Sequence, residues 1–154
     1  MNKYINIANK NESLYTLNYF RYNRCSPFFV RISNLHIKDL NKVLGRNIFK
    51  KDTVYINSET LWDIMQPVGG KGSHHYHGLT PEEVYNTLSR LRYSKQIIPS
   101  YDDRFVVITD IQIRDGLYMV AILLTNEDLY KENIDNVTIV ITIYPSDRKN
   151  LLTK

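Results

Sequence analysis

Residues 105–124 read FVVITDIQIRDGLYMVAILL, two β-prone runs on either side of Asp115-Gly116. An Asp-Gly pair between such runs is a strong signal for a tight hairpin turn, because both central residues of that turn need positive φ. A polar loop is predicted over 125–136, and after it a third β-prone run covers 137–144 and ends before Pro145. In it Val137, Ile139, Ile141 and Ile143 alternate with Thr138, Thr142 and Tyr144. Alternation with period two predicts strands with one buried face, so this half of the chain predicts an antiparallel β-meander of three to five strands.

Helix signals precede these strands. Asn34 is placed to cap a helix that ends at Gly45, and Ser58 to cap a second one that ends by Pro67. A third helix is predicted over 81–92, since Thr80 and Glu83 have capping-box spacing and Pro81 occupies the first helical position. A short strand is predicted at 53–56. Helices followed by strands predict an α+β fold in which N-terminal helices pack on one face of the meander.

Length and composition limit the possible classes of protein. The chain has 154 residues, 43% of them hydrophobic and 23% charged, which is typical of one globular domain. The single cysteine, Cys25, excludes an internal disulfide framework and a multi-cysteine metal site. No apolar run reaches the ~18 residues of a membrane span and the N-terminus lacks a signal-peptide pattern, so we expect no membrane partner and a cytoplasmic protein. The formal net charge of +4 permits a nucleic-acid partner.

The N-terminal segment interleaves aromatic and basic residues. Two arginines, Arg21 and Arg24, interleave with the aromatic residues Tyr4, Tyr15, Tyr19, Phe20 and Tyr22. Aromatic side chains next to cations can stack on nucleic-acid bases. The commoner arrangement is an aromatic strip packed on the domain, with its cations reaching past it to solvent, and this is what we expect here.

Three of the four histidines cluster at His74, His75 and His77, between the Gly-rich stretch 69–73 and the helix that begins at Pro81. Imidazole ordinarily titrates near neutral pH and can take up and return a proton. The cluster is open to three interpretations: solvated loop residues, ligands of a metal ion completed by a distant carboxylate, or an acid–base site. We expect no metal and no cofactor, since neither Cys nor a His-x-x-Glu-His pattern completes a zinc set.

Several residues are candidates for contacts with phosphate. Lys71, Gly72 and Ser73 precede a helix start, where backbone N–H groups favour anions. Arg104 begins a long strand, where a guanidinium can hold a phosphate through two hydrogen bonds or pair with Asp102 or Asp103. Tyr144 and Ser146 close the last strand and offer hydroxyl donors.

The order of these elements resembles a known group of nucleases. The segment 77–83, a helix, residues 97–100 and the strand from Arg104 to Asp110 resemble the phage-associated nucleases of the barnase–EndoU–colicin–RelE type. Such domains occur alone in phages and mobile elements or as C-terminal toxins of MuF-like head-morphogenesis proteins. The resemblance covers roughly 53–148 and leaves 1–52 as an N-terminal extension of uncertain role within a single domain of 1–154. It implies that His77 matches the family's histidine, and that Arg104, Thr109 and Tyr144 match its basic or hydroxyl residues on the sheet.

Together these features predict a metal-independent endoribonuclease, a toxin or host-takeover factor that acts on RNA, possibly tRNA, in the cytoplasm of a host bacterial cell. Cleavage would proceed by attack of the 2′-OH on the phosphate. His77 would be the general acid or base, with His75 or His74 in support. Lys71 and Arg104 would bind phosphate, and Tyr144 would orient or stabilise it. The alternative is a catalytically inactive phage protein on the same fold that inhibits a host defence nuclease; a further partner of either would be an immunity or defence protein.

Overall fold

The computed structural model describes residues 3–69, 74–129 and 134–147. Within them the chain forms four α-helices and one seven-stranded sheet, which confirms the α+β class. The helices are α1 (Lys10–Tyr22), α2 (Leu40–Leu44), α3 (Ser58–Met65) and α4 (Pro81–Arg90). The strands are β1 (Tyr4–Asn6), β2 (Phe29–Ser33), β3 (Val54–Asn57), β4 (Gln96–Pro99), β5 (Arg104–Gln112), β6 (Tyr118–Leu129) and β7 (Ile134–Ser146).

The sheet is larger than expected and of mixed direction. Its order is β1-β2-β3-β7-β6-β5-β4, with β1–β2 and β3–β7 parallel and the other neighbours antiparallel. The expected meander of three to five antiparallel strands corresponds to β4 to β7 alone. The prediction fails at the N-terminus because β1 has three residues and β2 five, too few for a clear alternating pattern.

The hairpin of β6 and β7 corrects two further expectations. The polar stretch predicted as a loop over 125–136 belongs largely to the two strands, since β6 continues to Leu129 and β7 begins at Ile134. Pro145 does not end β7, because it is paired with Met119 of β6. The alternation of apolar and polar residues does not indicate this pairing, because register shifts between β6 and β7 interrupt it.

A bulge at Ile141 changes which of the alternating residues of β7 face the helices. Thr142 pairs with Ile122 and Val140 with Leu123, so Ile141 is an extra residue. Val137 and Ile139 therefore face away from the helices, whereas Val140 and Ile143 face them. The expected single face of Val137, Ile139, Ile141 and Ile143 is wrong for this reason.

The main core fills the space between the helices and one face of the sheet. Its helix residues include Leu17 and Phe20 of α1, Leu61 and Ile64 of α3, and Leu88 of α4. The sheet contributes a second set of buried side chains: Val30, Ile32, Val54, Ile56, Val107, Ala121, Leu123, Val140 and Ile143. A small cluster of Tyr55, Leu129 and Val137 lies on the opposite face.

Local signals predicted some elements well and others poorly. The capping box of Thr80 and Glu83 is present at the start of α4. Asp115 and Gly116 both have positive φ in the five-residue connection 113–117 from β5 to β6, which contains a short 3-10 helix. The single helix expected from Asn34 to Gly45 is wrong: Asn34 has φ 65°, and a short 3-10 helix over Ile37–Asp39 precedes α2. Helix α3 is capped by Asn57 rather than Ser58.

The described part of 1–52 is built into the same sheet and core as the rest. It supplies β1, β2, α1 and α2, and the fully buried Leu17 and Phe20 belong to it. None of the helices in the described ranges is both long and apolar enough to cross a bilayer.

Candidate active site

The site lies at an open edge of β7. Strand β3 pairs with β7 only as far as Val140, because the chain leaves the sheet at Asn57 and turns into α3. From Ile141 onwards, β7 has β6 on one side and no strand among the described residues on the other. Backbone groups on that edge are therefore available to side chains. Residues 74–79, here called the histidine segment, meet this edge at His77.

Two backbone hydrogen bonds attach this segment to the end of α3. The N–H of Gly78 donates to the carbonyl oxygen of Gln66 at 2.8 Å, and that of Leu79 to Ile64 at 3.0 Å. Gly78 has φ 66°, and a Cβ built there would lie 3.2 Å from Cγ2 of Val68. Glycine is needed here for both its backbone conformation and the close approach of Val68. These contacts set the position of His77.

His77 is fixed by the open edge of β7. Its Nδ1 lies 2.6 Å from the carbonyl oxygen of Ile143. A carbonyl only accepts, so in the neutral ring Nδ1 carries the proton and Nε2 carries a lone pair. A ring held in one tautomer with the other nitrogen basic is the arrangement of a general base.

A cleft of about 340 Å³ opens beside His77. This volume is in the range of small-molecule sites and suits one nucleotide. The cleft has three walls: α3, the histidine segment and the bulged part of β7. Its lining residues are Thr60, Asp63, Ile64, His74, His75, His77, Ile141, Thr142 and Tyr144.

The pKa values of two ionisable side chains in the cleft are shifted by their surroundings. Burial raises the pKa of the Asp63 carboxyl above its ordinary value, and the nearby charge of Glu59 acts in the same direction, against smaller opposing effects of His75, Arg24 and His77. Burial also raises the pKa of the Tyr144 phenol, so its hydroxyl remains a hydrogen-bond donor at neutral pH. The Tyr144 ring meets His77 edge to face, with 6.1 Å between centroids.

His74 and His75 form the outer part of the cleft. Both are exposed, and their rings lie 4.0 Å apart between centroids at an angle of 43°. The three predicted histidines are therefore brought together with Tyr144 around one cleft, as the sequence suggested. Within the described ranges, no three His, Cys, Asp or Glu side chains are grouped so as to hold a metal ion.

A cation that the sequence analysis did not select lies near the cleft. The guanidinium of Arg24 bonds to both carboxylate oxygens of Glu59, which is one turn before Asp63 on α3, and lies over the ring of Trp62. The hydrogen bond to Glu59 raises the pKa of Arg24, with smaller contributions from Tyr76 and Asp63. The contacts with Glu59 and Trp62 place Arg24 against α3, one wall of the cleft.

Arg104 does not reach this cleft. It pairs with Leu124, whereas Tyr144 pairs with Val120, the partner of Ile108 on β5. The residue pairs that contain Arg104 and Tyr144 are thus ~13 Å apart along the strand direction. Across the sheet, the two residues are separated by two strand spacings, from β5 to β7. The Arg104 guanidinium lies 5.0 Å from the ring centroid of Tyr101, and its buried Nε has no hydrogen-bond partner in the described part of the chain. The expected convergence of His77 and Arg104 is therefore wrong.

The remaining predicted residues fall into two groups. Thr109 is buried, and its hydroxyl donates to the carbonyl of Met119 at 2.7 Å, so it is occupied inside the sheet and is not available to a phosphate. Ser146 pairs with Tyr118 and does not line the cleft. Lys71, Gly72 and Ser73 lie outside the described residues.

Asp63 and Thr60 are the residues that sequence reasoning missed. In α3 the buried apolar positions are Leu61, Ile64 and Met65. Thr60 and Asp63, three residues apart, therefore lie on a neighbouring face of the helix. The short connection from this helix to His74 would have indicated that the two lie close together. Comparison of the chain with family models, with curated proteins and with solved structures found no match.

Proposed function

We propose that this chain is a metal-independent endoribonuclease that cleaves RNA by attack of a 2′-OH on the adjacent phosphorus. One observation carries the proposal: the carbonyl of Ile143 holds the imidazole of His77 in the tautomer whose Nε2 is basic, inside a cleft of nucleotide size. The order of sequence elements over 53–148 resembles that of phage-associated nucleases, and from this resemblance we infer a role as a toxin or host-takeover factor.

The proposed reaction assigns a role to each side of the cleft. Nε2 of His77 takes the proton of the 2′-OH as its oxygen attacks phosphorus. The bond from phosphorus to the 5′-oxygen then breaks, and an imidazolium of His75 or His74 gives that oxygen a proton. The products are a 2′,3′-cyclic phosphate and a free 5′-OH, so no water and no redox partner is consumed.

Charge in the transition state has two sources of stabilisation in the described site. The Tyr144 hydroxyl, kept protonated by its raised pKa, can donate to a phosphoryl oxygen. The Asp63 carboxylate lies near His75 and His77 and stabilises the imidazolium that forms when a ring takes up a proton. Arg24, which is hydrogen-bonded to Glu59 on α3, takes the place of Arg104 as the proposed phosphate-binding cation, and Lys71 remains a predicted phosphate contact.

A cleavage assay on RNA with EDTA present tests this proposal. We expect the wild-type chain to cut RNA in EDTA and to leave ends carrying a 2′,3′-cyclic phosphate, identified by mass spectrometry. His77→Asn should lower the rate at least about a hundredfold, because the amide can still donate to Ile143 but cannot accept the 2′-OH proton.

His36→Asn is the matched control. His36 is the one histidine of the sequence outside the cleft, and its φ of 57° is a conformation that asparagine tolerates. This variant should cut at the wild-type rate. Cleavage only in the absence of EDTA, or full activity in His77→Asn, would contradict the proposal.

The alternative function, a binding protein without catalysis, has one feature in its favour. Ile98, Val106 and Ile122 lie in one row on the sheet face opposite the helices and are only half-buried. A half-exposed apolar row is suited to a protein partner such as a defence nuclease. A wild-type chain that cuts no RNA under any condition would favour this function.

A further inference from the structure

Helix α1 presents a stripe of three tyrosines to solvent. Tyr15, Tyr19 and Tyr22 follow one another at spacings of four and three residues, and their exposed fractions are 81%, 38% and 67%. The buried positions of the same helix, Ser13, Thr16, Leu17 and Phe20, lie on its other side. The expectation that the aromatics of this segment pack on the domain is therefore wrong for these three tyrosines, whereas Phe20 is buried in the core. Large aromatic side chains exposed together mark a surface that binds something.

Cations accompany the C-terminal end of this tyrosine stripe. The guanidinium of Arg21 lies 5.5 Å from the ring centroid of Tyr22. Arg24 follows two residues after Tyr22 and lies over Trp62 of α3, at 5.9 Å from the ring centroid. Aromatic faces for stacking, with guanidinium groups for phosphates, form the combination that binds single-stranded nucleic acid without reading its sequence.

The stripe leads towards the cleft. The side-chain amide of Gln66, at the end of α3, donates to the carbonyl of Arg21 at 2.9 Å. Arg24 bonds to Glu59 on α3, the helix whose Thr60 and Asp63 line the cleft. A strand of RNA that lies along α1 therefore meets α3, one wall of the cleft, at the C-terminal end of the stripe.

We propose that the outer face of α1 binds single-stranded RNA, with bases stacked on Tyr15, Tyr19 and Tyr22 and phosphates near Arg21 and Arg24. The inference rests on the proposed function and names the form of RNA that the cleft receives. The stripe spans ~10 Å along the helix axis, room for a few bases. Paired bases inside an A-form duplex are stacked on one another and cannot stack on these rings, so the surface selects single strands.

Binding is measured separately from cleavage by the use of an RNA that cannot be cut. The probe is a fluorescent 2′-O-methyl oligonucleotide of about ten nucleotides, followed by anisotropy, with the corresponding duplex in parallel. We expect the single strand to bind more tightly than the duplex. The double variant Tyr15→Ser/Tyr22→Ser should weaken binding by roughly a hundredfold, about tenfold for each base that loses its stacking partner.

Tyr101→Ser is the matched control, since Tyr101 is 67% exposed and also lies under an arginine, but belongs to the turn between β4 and β5. This variant should bind like the wild type. Arg21→Gln should reduce the slope of log affinity against log salt by about 0.7, the loss of one phosphate contact.

Cleavage kinetics supply an independent measurement. With a long RNA the double tyrosine variant should raise KM and leave kcat unchanged, and with a dinucleotide substrate it should behave like the wild type. Unchanged affinity in the double variant, equal affinity for the duplex, or no RNA binding at all would overturn the inference; the last result would assign the stripe to a protein partner. Tight binding of the single strand without cleavage would leave this inference standing and would contradict the proposed function.

Discussion

Asp63 is a carboxylate of the cleft wall that is partly removed from water. Its folded-state pKa is raised by burial, so the folded protein holds that proton more firmly than the unfolded chain does. The free energy of unfolding therefore falls as the pH rises from the ordinary carboxyl value, about 3.9, through the raised value. The ionised form of Asp63 is therefore a net destabilising group in the fold.

Asp63→Asn should therefore stabilise the fold at neutral pH. We expect a higher Tm than that of the wild type at pH 7, and a difference that shrinks as the pH is lowered towards the ordinary pKa of the carboxyl. Thermal unfolding followed by circular dichroism at several pH values measures it. The same variant should cut RNA more slowly, since no carboxylate remains to stabilise the imidazolium.

Asp110→Asn is a control of opposite sign. The hydrogen bond from Arg90 lowers the pKa of Asp110, so its charge stabilises the fold above the ordinary carboxyl pKa, and this stability is lost as the pH falls through the lowered value. The pair is largely exposed, so the expected loss at pH 7 is at most about 1 kcal/mol. Equal effects of the two substitutions at pH 7 would contradict the assignment of Asp63.

At the level of residues, the sequence predicted the histidines better than their partners. His74, His75 and His77 are neighbours in the chain, so their clustering needed no knowledge of the fold. The predicted roles of Arg104 and Thr109 depended on strand register. A shift of one residue turns a side chain to the other face of a sheet, and a shift of four residues moves it ~13 Å along the strand. The short connection between α3 and His74 was a sequence signal for Asp63, but its place in the cleft depends on how α3 packs beside β7.

At the level of elements, a helix start could be predicted from local sequence signals, whereas the pairing of distant strands could not. Helix α4 carries its start signal in four consecutive residues, from Thr80 to Glu83. Helix α1 gave little apolar periodicity, because two of its four buried positions are Ser13 and Thr16. The bulge at Ile141 has no local signature, and it is what turns Ile143 so that the open edge of β7 meets His77.

The connection between α3 and His77 allows a test of how an element positions the site. Gly78→Ala should lower both stability and cleavage, because the left-handed backbone at φ 66° costs about 1–2 kcal/mol for a residue with a Cβ and the new methyl group approaches Val68. The displaced backbone moves His77 away from Ile143. Unfolding in urea and the rate of RNA cleavage are the two measurements.

Gly45→Ala is the matched control for this effect. Gly45 has φ 67° and caps the C-terminus of α2. It does not line the cleft, and open space lies where its Cβ would be. It should show a similar loss of stability with unchanged cleavage at a temperature where both variants are folded. A Gly78→Ala protein with wild-type activity would show that His77 does not depend on this connection.

At the level of the whole molecule, the sheet joins distant parts of the chain. The central pair β3–β7 is parallel and unites residues 54–56 with 138–140, a contact that no local pattern predicts. The class of the fold could be deduced from the order of helix and strand signals, since that order reflects layers. The number and order of strands could not, because β1 and β2 are short and pair through connections that contain whole helices.

The continuity of the sheet leads to a prediction about residues 1–52. The fragment 53–154 lacks Leu17, Phe20, Val30 and Ile32, each fully buried in the intact core. Each such side chain contributes about 1.5–3 kcal/mol, so their combined loss is comparable to the 5–15 kcal/mol by which domains are usually stable. We therefore expect the fragment to lack cooperative thermal unfolding and to bind a hydrophobic dye. Addition of a separate 1–52 fragment should restore cooperative unfolding, because α1 and β2 can then repack on α3 and β3. Cooperative unfolding of 53–154 alone would show that the C-terminal part forms its own core, in which case the first two strands would be an extension of a smaller nuclease-like domain.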